Sequence, residues 1–175
     1  QPYDVGQSQI FTNAMFSTFN QHDRNTAFVG IGGRLFNEYT YKSVYLTAAV
    51  SDLGGYMDVY GGYGVFKDYM GFRALAELNL GTGGGGKAPA GGGILTGVQG
   101  ELQWHHHGKF IGFSSGILRW VDGPFYFGFT GLHTGIDFNY TSVQNENGYL
   151  PMNLSIENGV RTYLGEDGFS NLGVA

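Results

Sequence analysis

The sequence predicts an all-β chain that folds as an antiparallel meander of hairpins. Side chains alternate between two chemical classes with a period of two through most of the 175 residues, and turn-forming residues separate these stretches. The composition agrees, because 32 glycines and 16% aromatic residues accompany a charged fraction of only 13%. That charged fraction is about half of the roughly 25% found in average soluble domains. The chain therefore favours strands and a surface poor in charge.

We expect one domain over residues 1–175, with residues 1–7 as a polar lead-in. Residues 8–20 suit a strand, although Phe11, Met15 and Phe19 are also spaced as on a helix. The later strands alternate clearly, and a short strand ends the chain. About ten strands are predicted in all, and the clear ones cover residues 27–36, 43–51, 56–65, 70–80, 94–105, 110–120, 125–140 and 152–161.

Turn lengths follow from keeping the two faces of each hairpin uniform, since a slip of one residue exchanges them. A three-residue turn at 122–124 pairs Trp120 with Tyr126 and Arg119 with Phe127, whereas a two-residue turn would pair Trp120 with Phe125. The same reasoning predicts a two-residue turn at Lys67 and Asp68 and a turn over residues 106–108. Residues 81–93 form a glycine-rich loop that matches no phosphate-binding motif, so we expect a flexible surface loop.

Charged side chains are sorted to one side of the predicted strands. Nine of the 23 lie within strands, all opposite the apolar side chains, while the four lysines lie in turns, loops or strand ends. We predict that the nine point into a polar, packed interior together with His133. The predicted interior residues are Arg34, Asp58, Arg73, Glu77, Glu101, Arg119, His133, Asp137, Glu157 and Arg161.

The uncharged face is expected to point outward as an apolar band with aromatic residues at its edges. The predicted aromatic girdle consists of Trp104, Phe110, Trp120, Tyr126, Phe138 and Tyr140. Residues 110–120 span roughly 26 Å at the usual strand rise and tilt, about the height of a membrane's apolar layer. Lipid supplies no backbone hydrogen-bond partners, so the sheet must close on itself. The predicted fold is an up-and-down transmembrane β-barrel of about 8–10 strands.

Strand registers suggest how the interior charges meet. The turn at 67–68 places Asp58 opposite Glu77, and the register expected across the glycine-rich loop sets Arg73 opposite Glu101. The turn at 106–108 places Glu101 beside Phe113, which faces His133. We therefore predict an interior network of Asp58, Arg73, Glu77, Glu101 and His133. Charge pairing that fills the barrel is the expected role, with a proton or solute path as the alternative.

Two chemical hypotheses compete with this structural interpretation. His105 and His107 could share a metal ion because they lie on one face, but no acid or cysteine is near in sequence. A membrane lipid hydrolase would need a nucleophile, a histidine and an acid together, and Ser114, Ser115, His133 and Asp137 are the candidates. Ser115 shares the predicted inner face with His133, whereas Ser114 does not. We expect no enzyme activity, no metal and no cofactor.

The alternating strands over residues 26–164 resemble small outer-membrane β-barrel proteins of Gram-negative bacteria, the group of the OmpA transmembrane domain and OmpX. The resemblance implies barrel closure, an export signal and a structural, adhesive or partner-anchoring role. Gln1 at the first position also fits a removed signal peptide. The expected location is therefore the Gram-negative outer membrane.

The expected function is that of a non-enzymatic scaffold, adhesin or subunit of an envelope complex. Its expected partners are membrane lipid, other envelope proteins or copies of itself. Nucleic acid is not expected, because the lysines and arginines are scattered singly. The main alternative is an exported soluble β protein whose apolar face is buried in a filament or shell. Lesser alternatives are the lipid hydrolase and a narrow pore.

Overall fold

The computed structural model describes residues 4–19, 25–50, 53, 55–86, 92–122, 126–142, 152–156, 160–163 and 173–174. Within these residues, no helix is long and apolar enough to cross a membrane. All regular elements are strands, in agreement with the predicted all-β class. They are β1 (Asp4–Phe19), β2 (Asn25–Asn37), β3 (Thr40–Ala49), β4 (Met57–Tyr69), β5 (Phe72–Gly84), β6 (Gly92–His106), β7 (Lys109–Trp120), β8 (Tyr126–Ser142), β9 (Met152–Ile156), β10 (Val160–Tyr163) and β11 (Gly173–Val174).

Strands β1 to β8 form a closed antiparallel barrel. Each pairs with the next in sequence, and β1 pairs with β8 from Asp4 with Ser142 to Phe19 with Phe127. The paired residues can be followed from strand to strand once around the barrel. A path that starts at one residue of β1 ends at the residue ten positions further along β1, and this offset is the stagger of the barrel. Eight strands with this stagger tilt by about 40° from the barrel axis. The predicted up-and-down barrel is confirmed, with eight strands in the wall.

The two ends of the barrel differ in their connections. Two-residue turns join β2 to β3, β4 to β5 and β6 to β7 at what we call the turn end. In two of these turns, Met70 with Gly71 and His107 with Gly108, both residues have positive φ, which suits the twist of a hairpin. Longer connections lie at the opposite end, the loop end.

The chain continues past the barrel at the turn end. There β8 extends beyond the first residue of β7, and Phe138–Ser142 pairs with β9 on the edge that β7 leaves open. Strands β10 and β11 follow in order. β1 begins at Asp4 and pairs with the same part of β8, so the expected lead-in 1–7 belongs partly to the barrel wall.

The structure corrects the register of β7 on both sides. Arg119 pairs with Tyr126, not Phe127, and His106 pairs with Lys109 across a two-residue turn. Both predicted three-residue turns were therefore wrong by one residue. Because the two errors act on the same strand, β7 alone is reversed: Phe110, Ser114, Leu118 and Trp120 point inward, and Arg119 points outward.

Two further predictions about turns were wrong. The β4–β5 turn lies at Met70 and Gly71 instead of Lys67 and Asp68, so Asp58 pairs with Gly83 and not with Glu77. Half of the expected glycine-rich loop belongs to strands, since β5 reaches Gly84 and β6 begins at Gly92. Its register sets Arg73 opposite Gln103 instead of Glu101. These shifts preserve the inner and outer faces of β4, β5 and β6.

Candidate functional site: an apolar outer wall around a packed interior

The barrel has an apolar outside and a mixed inside. Among the described residues, 29 large hydrophobic side chains are exposed, whereas 16 are buried together with 17 polar or charged ones. The outward-facing charged side chains of described strands all lie within three residues of a strand end, namely Lys42, Lys67, Lys109 and Arg119. From Trp104 to Ile94 the uncharged outer face of β6 spans ten steps, about 25 Å along the axis. This distribution is the reverse of a water-soluble domain.

Only part of the predicted aromatic girdle faces outward. Trp104 and Tyr126 are exposed, but Phe110 and Trp120 are buried inside because β7 is reversed. Phe138 is half-buried, and the side chain of Tyr140 lies outside the described residues. Other aromatic side chains that sequence reasoning missed are exposed near the two ends of the wall, and these are Phe16, Tyr39, Tyr69 and Phe72. Their positions next to strand ends, on the outer face, could have identified them as part of the girdle.

Most predicted interior residues point inward. The buried ones are Arg34, Asp58, Arg73, Glu77, Glu101, His133 and Asp137. The prediction for Arg119 is wrong, because this side chain is exposed near the loop end of β7. Glu157 and the side chain of Arg161 lie outside the described residues.

The centre of the interior is built around Arg34 and Glu101. These side chains come from β2 and β6, and they meet across the lumen as a bidentate pair, with Arg34 Nη2 donating to Glu101 Oε2 and Nη1 lying 3.3 Å from Oε1. His133 Nδ1 is 2.9 Å from Glu101 Oε2, and Gln103 Nε2 donates to Glu101 Oε1 at 2.7 Å. The guanidinium also stacks 4.4 Å above the Phe11 ring. A buried carboxylate thus accepts from several donors at once.

Tyr45 extends this cluster toward Glu77. Its hydroxyl accepts from Arg34 Nη2 at 2.9 Å and from Gln99 Nε2 at 2.6 Å. Gln99 Nε2 also donates to Glu77 Oε1 at 2.9 Å, and Ser43 donates to the other carboxylate oxygen at 2.8 Å. Glu77 therefore belongs to the network, as predicted, but it is linked to Arg34 through neutral side chains.

A second group of charges lies toward the turn end. Arg73 donates to both carboxylate oxygens of Asp68, at 2.7 and 2.9 Å, and to Gln7 at 2.8 Å. Its guanidinium carbon lies 4.5 Å from the centroid of the Phe36 ring and 4.9 Å from that of the Phe66 ring, and the two rings also contact each other. The structure thus pairs Arg73 with Asp68 instead of the predicted Glu101.

His105 and Asp137 form a separate pair at the same end. His105 Nδ1 is 2.7 Å from Asp137 Oδ2, and its Nε2 is 2.9 Å from Gln103 Oε1. Both ring nitrogens of His105 are engaged, so the predicted alternative of a metal shared with His107 has no support from this geometry. Within the described residues, no group of three or more metal-ligating side chains is arranged to hold an ion.

Aromatic side chains close the interior at the loop end. Phe28, Tyr56, Trp120 and Phe127 form a ring of contacts, with successive centroids 5.4 to 6.0 Å apart. We call these four residues the aromatic plug. Asp58 lies close by and accepts a hydrogen bond from Thr47. The interior is packed, as predicted. Its charged network runs from the turn end to the middle, whereas aromatic rings dominate the loop end beside buried polar residues such as Asp58 and Thr47.

Ser114, His133 and Glu101 are connected in the order of a hydrolytic triad. Ser114 Oγ is 3.1 Å from His133 Nε2, and His133 Nδ1 faces Glu101. Sequence reasoning missed this contact because it placed Ser114 on the outer face. All three side chains are buried, Glu101 is paired with Arg34, and Gly131 packs so closely that an added Cβ would meet Ser114 Oγ at 3.1 Å. A substrate carbonyl has no access to this serine.

Comparisons with known proteins agree with the architecture. No family model matches the chain, and no curated protein does so. Among solved structures, the chain is similar to Neisserial surface protein A (NspA), with a TM-score of 0.53, 8% sequence identity, and coverage of 78% of this chain and 99% of that chain. At this identity the likeness concerns the fold alone. The chain has the closed eight-stranded antiparallel fold of small outer-membrane β-barrel proteins.

Proposed function

We propose that this protein is a non-enzymatic barrel of the Gram-negative outer membrane that acts as a scaffold, adhesin or subunit of an envelope complex. The observation that carries the proposal is the outer wall: among the residues that the structure describes, more large apolar side chains are exposed than buried. In a closed barrel, the backbone N–H and C=O groups of every wall strand form hydrogen bonds with a neighbouring strand. A protein that spans a membrane must meet this condition, because lipid offers no hydrogen-bond partners.

The connections support an orientation. Barrels of this kind have short turns on the periplasmic side and longer loops on the outside. In the proposed orientation the turns at 38–39, 70–71 and 107–108 face the periplasm, and the loop end faces outward. β9 to β11 then lie on the periplasmic side. The similar structure, Neisserial surface protein A, is a surface protein, which supports a role at the loop end.

The interior supports a structural role. The Arg34–Glu101 pair and its neighbours cross the lumen, and the aromatic plug closes the loop end. A barrel of eight strands is only wide enough for side chains to fill its interior. The filled interior therefore argues against an open pore and against an internal active site. We infer that the outer wall and the two ends of the barrel carry the function.

The two tryptophans provide a direct test. Trp104 is 50% exposed on the outer wall, whereas Trp120 is 1% exposed inside the barrel. In vesicles of brominated phosphatidylcholine, the Trp120→Phe variant, which keeps Trp104, should lose most of its fluorescence. The Trp104→Phe variant, which keeps Trp120, should lose little. A heat-modifiable gel shift checks that both variants are folded.

The outcomes separate the competing functions. Folded protein with an unquenched Trp104 would contradict the membrane proposal. Monodisperse behaviour in plain buffer without detergent would do the same, and ordered assemblies in that buffer would support the filament or shell alternative.

A further inference from the structure

We propose that the outer wall where β8, β1 and β2 approach the loop end carries a binding recess for one membrane lipid. The lipid's acyl chain lies beside Phe16, and its ester region meets Thr18 and Asn25. The recess is a cavity of about 440 Å³ lined by Phe16, Ser17, Thr18, Asn25, Thr26, Ala27 and Thr130. The inference rests on the proposed membrane location and names a specific partner for it.

The recess arises from one large side chain between two small ones. Phe16 in β1 pairs with Ala27 in β2 and with Thr130 in β8. The Phe16 ring is 67% exposed on the outer face, so it projects from the wall. The side chains of Ala27 and Thr130 on either side are short and project less. A projecting ring beside short side chains gives an acyl chain an apolar side wall above a shallow floor formed by Ala27 and Thr130.

The next row toward the loop end is polar. Thr18 pairs with Asn25 on one side and with Gly128 on the other. The Thr18 hydroxyl donates to Asn25 Oδ1 at 3.0 Å, so the Nδ2 hydrogens of that amide can donate to another acceptor. Ester carbonyl oxygens of a lipid are acceptors without charge. They lie at the edge of the apolar layer, as this row does at the ends of β1 and β2.

The pattern of the lining selects a lipid over other occupants. The seven residues that line the cavity include no charged side chain, and the exposed polar atoms of Thr18 and Asn25 lie at its loop end. A soluble polar solute would gain little along the Phe16 side, and a bare phosphate would lack a cation among these residues. An amphipathic molecule suits both parts of the recess, with its apolar chain beside Phe16 and its polar part at the loop end beside Thr18 and Asn25.

Photocrosslinking tests the recess in the intact folded protein. The probe is phosphatidylethanolamine with a diazirine in its acyl chain, at low fraction in vesicles of phosphatidylethanolamine and phosphatidylglycerol. We expect peptides with Phe16 or Thr130 to carry about tenfold more label than peptides from the outer face of β4 and β5. The Ala27→Leu/Thr130→Leu double variant, which fills the recess, should lower that label to the level of the rest of the wall.

A matched control uses the opposite wall. Ala76 is also small and exposed, and it pairs with Val65 and Gly100 away from the recess. Ala76→Leu should leave the labelling near Phe16 unchanged. Even labelling around the folded barrel would overturn the lipid site while leaving the membrane location standing. Folded protein without any label would overturn the membrane proposal itself.

Discussion

Removing the charge of Glu101 should destabilise the barrel more than removing Arg34. Glu101 accepts from Arg34, Gln103 and His133 through its two oxygens. In Glu101→Gln one of those oxygens becomes an amide nitrogen, which would face donors. Arg34, which is fully buried, would also lose its counter-charge. Arg34→Met keeps an unbranched side chain beside Phe11 and leaves Glu101 with two donors.

The magnitudes follow from what each variant leaves behind. An uncompensated buried charge costs about 3–5 kcal/mol, which we expect for Glu101→Gln. Arg34→Met should cost about 1–3 kcal/mol, since Glu101 keeps its contacts with Gln103 and His133. The double variant should lose less than the sum of the two by about 2 kcal/mol, because both single changes remove the same pair.

The measurement is urea unfolding of protein folded in lipid vesicles, followed by tryptophan fluorescence and by the heat-modifiable gel shift. The pair Asp68 and Arg73 offers a control, because Asp68 is largely exposed in its ion pair. Asp68→Asn should cost less than Glu101→Gln, about 1–2 kcal/mol, because the buried Arg73 keeps Gln7 and one amide oxygen as acceptors. Equal losses for Glu101→Gln and Arg34→Met, or strict additivity in the double variant, would refute the assigned network.

Three further changes test other parts of the structure. Gly62→Ala should cost about 2 kcal/mol in urea unfolding, because an added Cβ would collide with Glu77, Ser43 and Asn79. Gly100→Ala should be tolerated, because a Cβ there meets only Leu75 O at 3.7 Å. Equal losses for the two variants would contradict the packing. Leu78→Arg, midway along the exposed face of β5, should cost roughly 2–4 kcal/mol in lipid, and Tyr39→Arg in a turn about 0–1 kcal/mol. A harmless Leu78→Arg would indicate a surface in water. In planar bilayers the folded protein should give no steady conductance, and regular channel openings would show that the aromatic plug does not seal the lumen.

The inner and outer faces could be predicted from the sequence for most strands, but not for β7. Alternation identified the outer faces of β2 to β6 because, away from the strand ends, the charged residues lie on one side and most of the polar ones lie there too. In β7 the two faces differ little, and the charge of Arg119 at the strand end predicts the wrong face as the inner one. The better signal was size: Gly112, Ser114 and Gly116 share one face, and added Cβ atoms at the two glycines would collide with Glu101, Gln99 and Phe129. A crowded lumen selects that face for the inside.

Partner choice inside the barrel was less predictable than burial. Arg34 and Glu101 lie on β2 and β6, which are not neighbours, so pairwise strand registers could not bring them together. Their meeting depends on the ten-residue stagger around the whole barrel, which is set by the registers of all eight strand pairs together. The β4–β5 register differs from the predicted one, since Lys67 and Asp68 resemble a turn in sequence but continue the strand. Buried residues can thus be predicted one strand at a time, whereas cross-lumen contacts require the complete register.

The pairing of β1 with β8 has a consequence for how this protein is made. Gln9 bonds to Asp137, 128 positions later, so the first strand cannot complete its hydrogen bonds until nearly the whole barrel sequence has been synthesised. Until then, β1 and the last strand formed both present open edges, which invite pairing with other chains. Closure removes both edges in one step, and unfolding must reopen a seam of sixteen residue pairs. The same seam that delays folding therefore gives the finished barrel its resistance to coming apart.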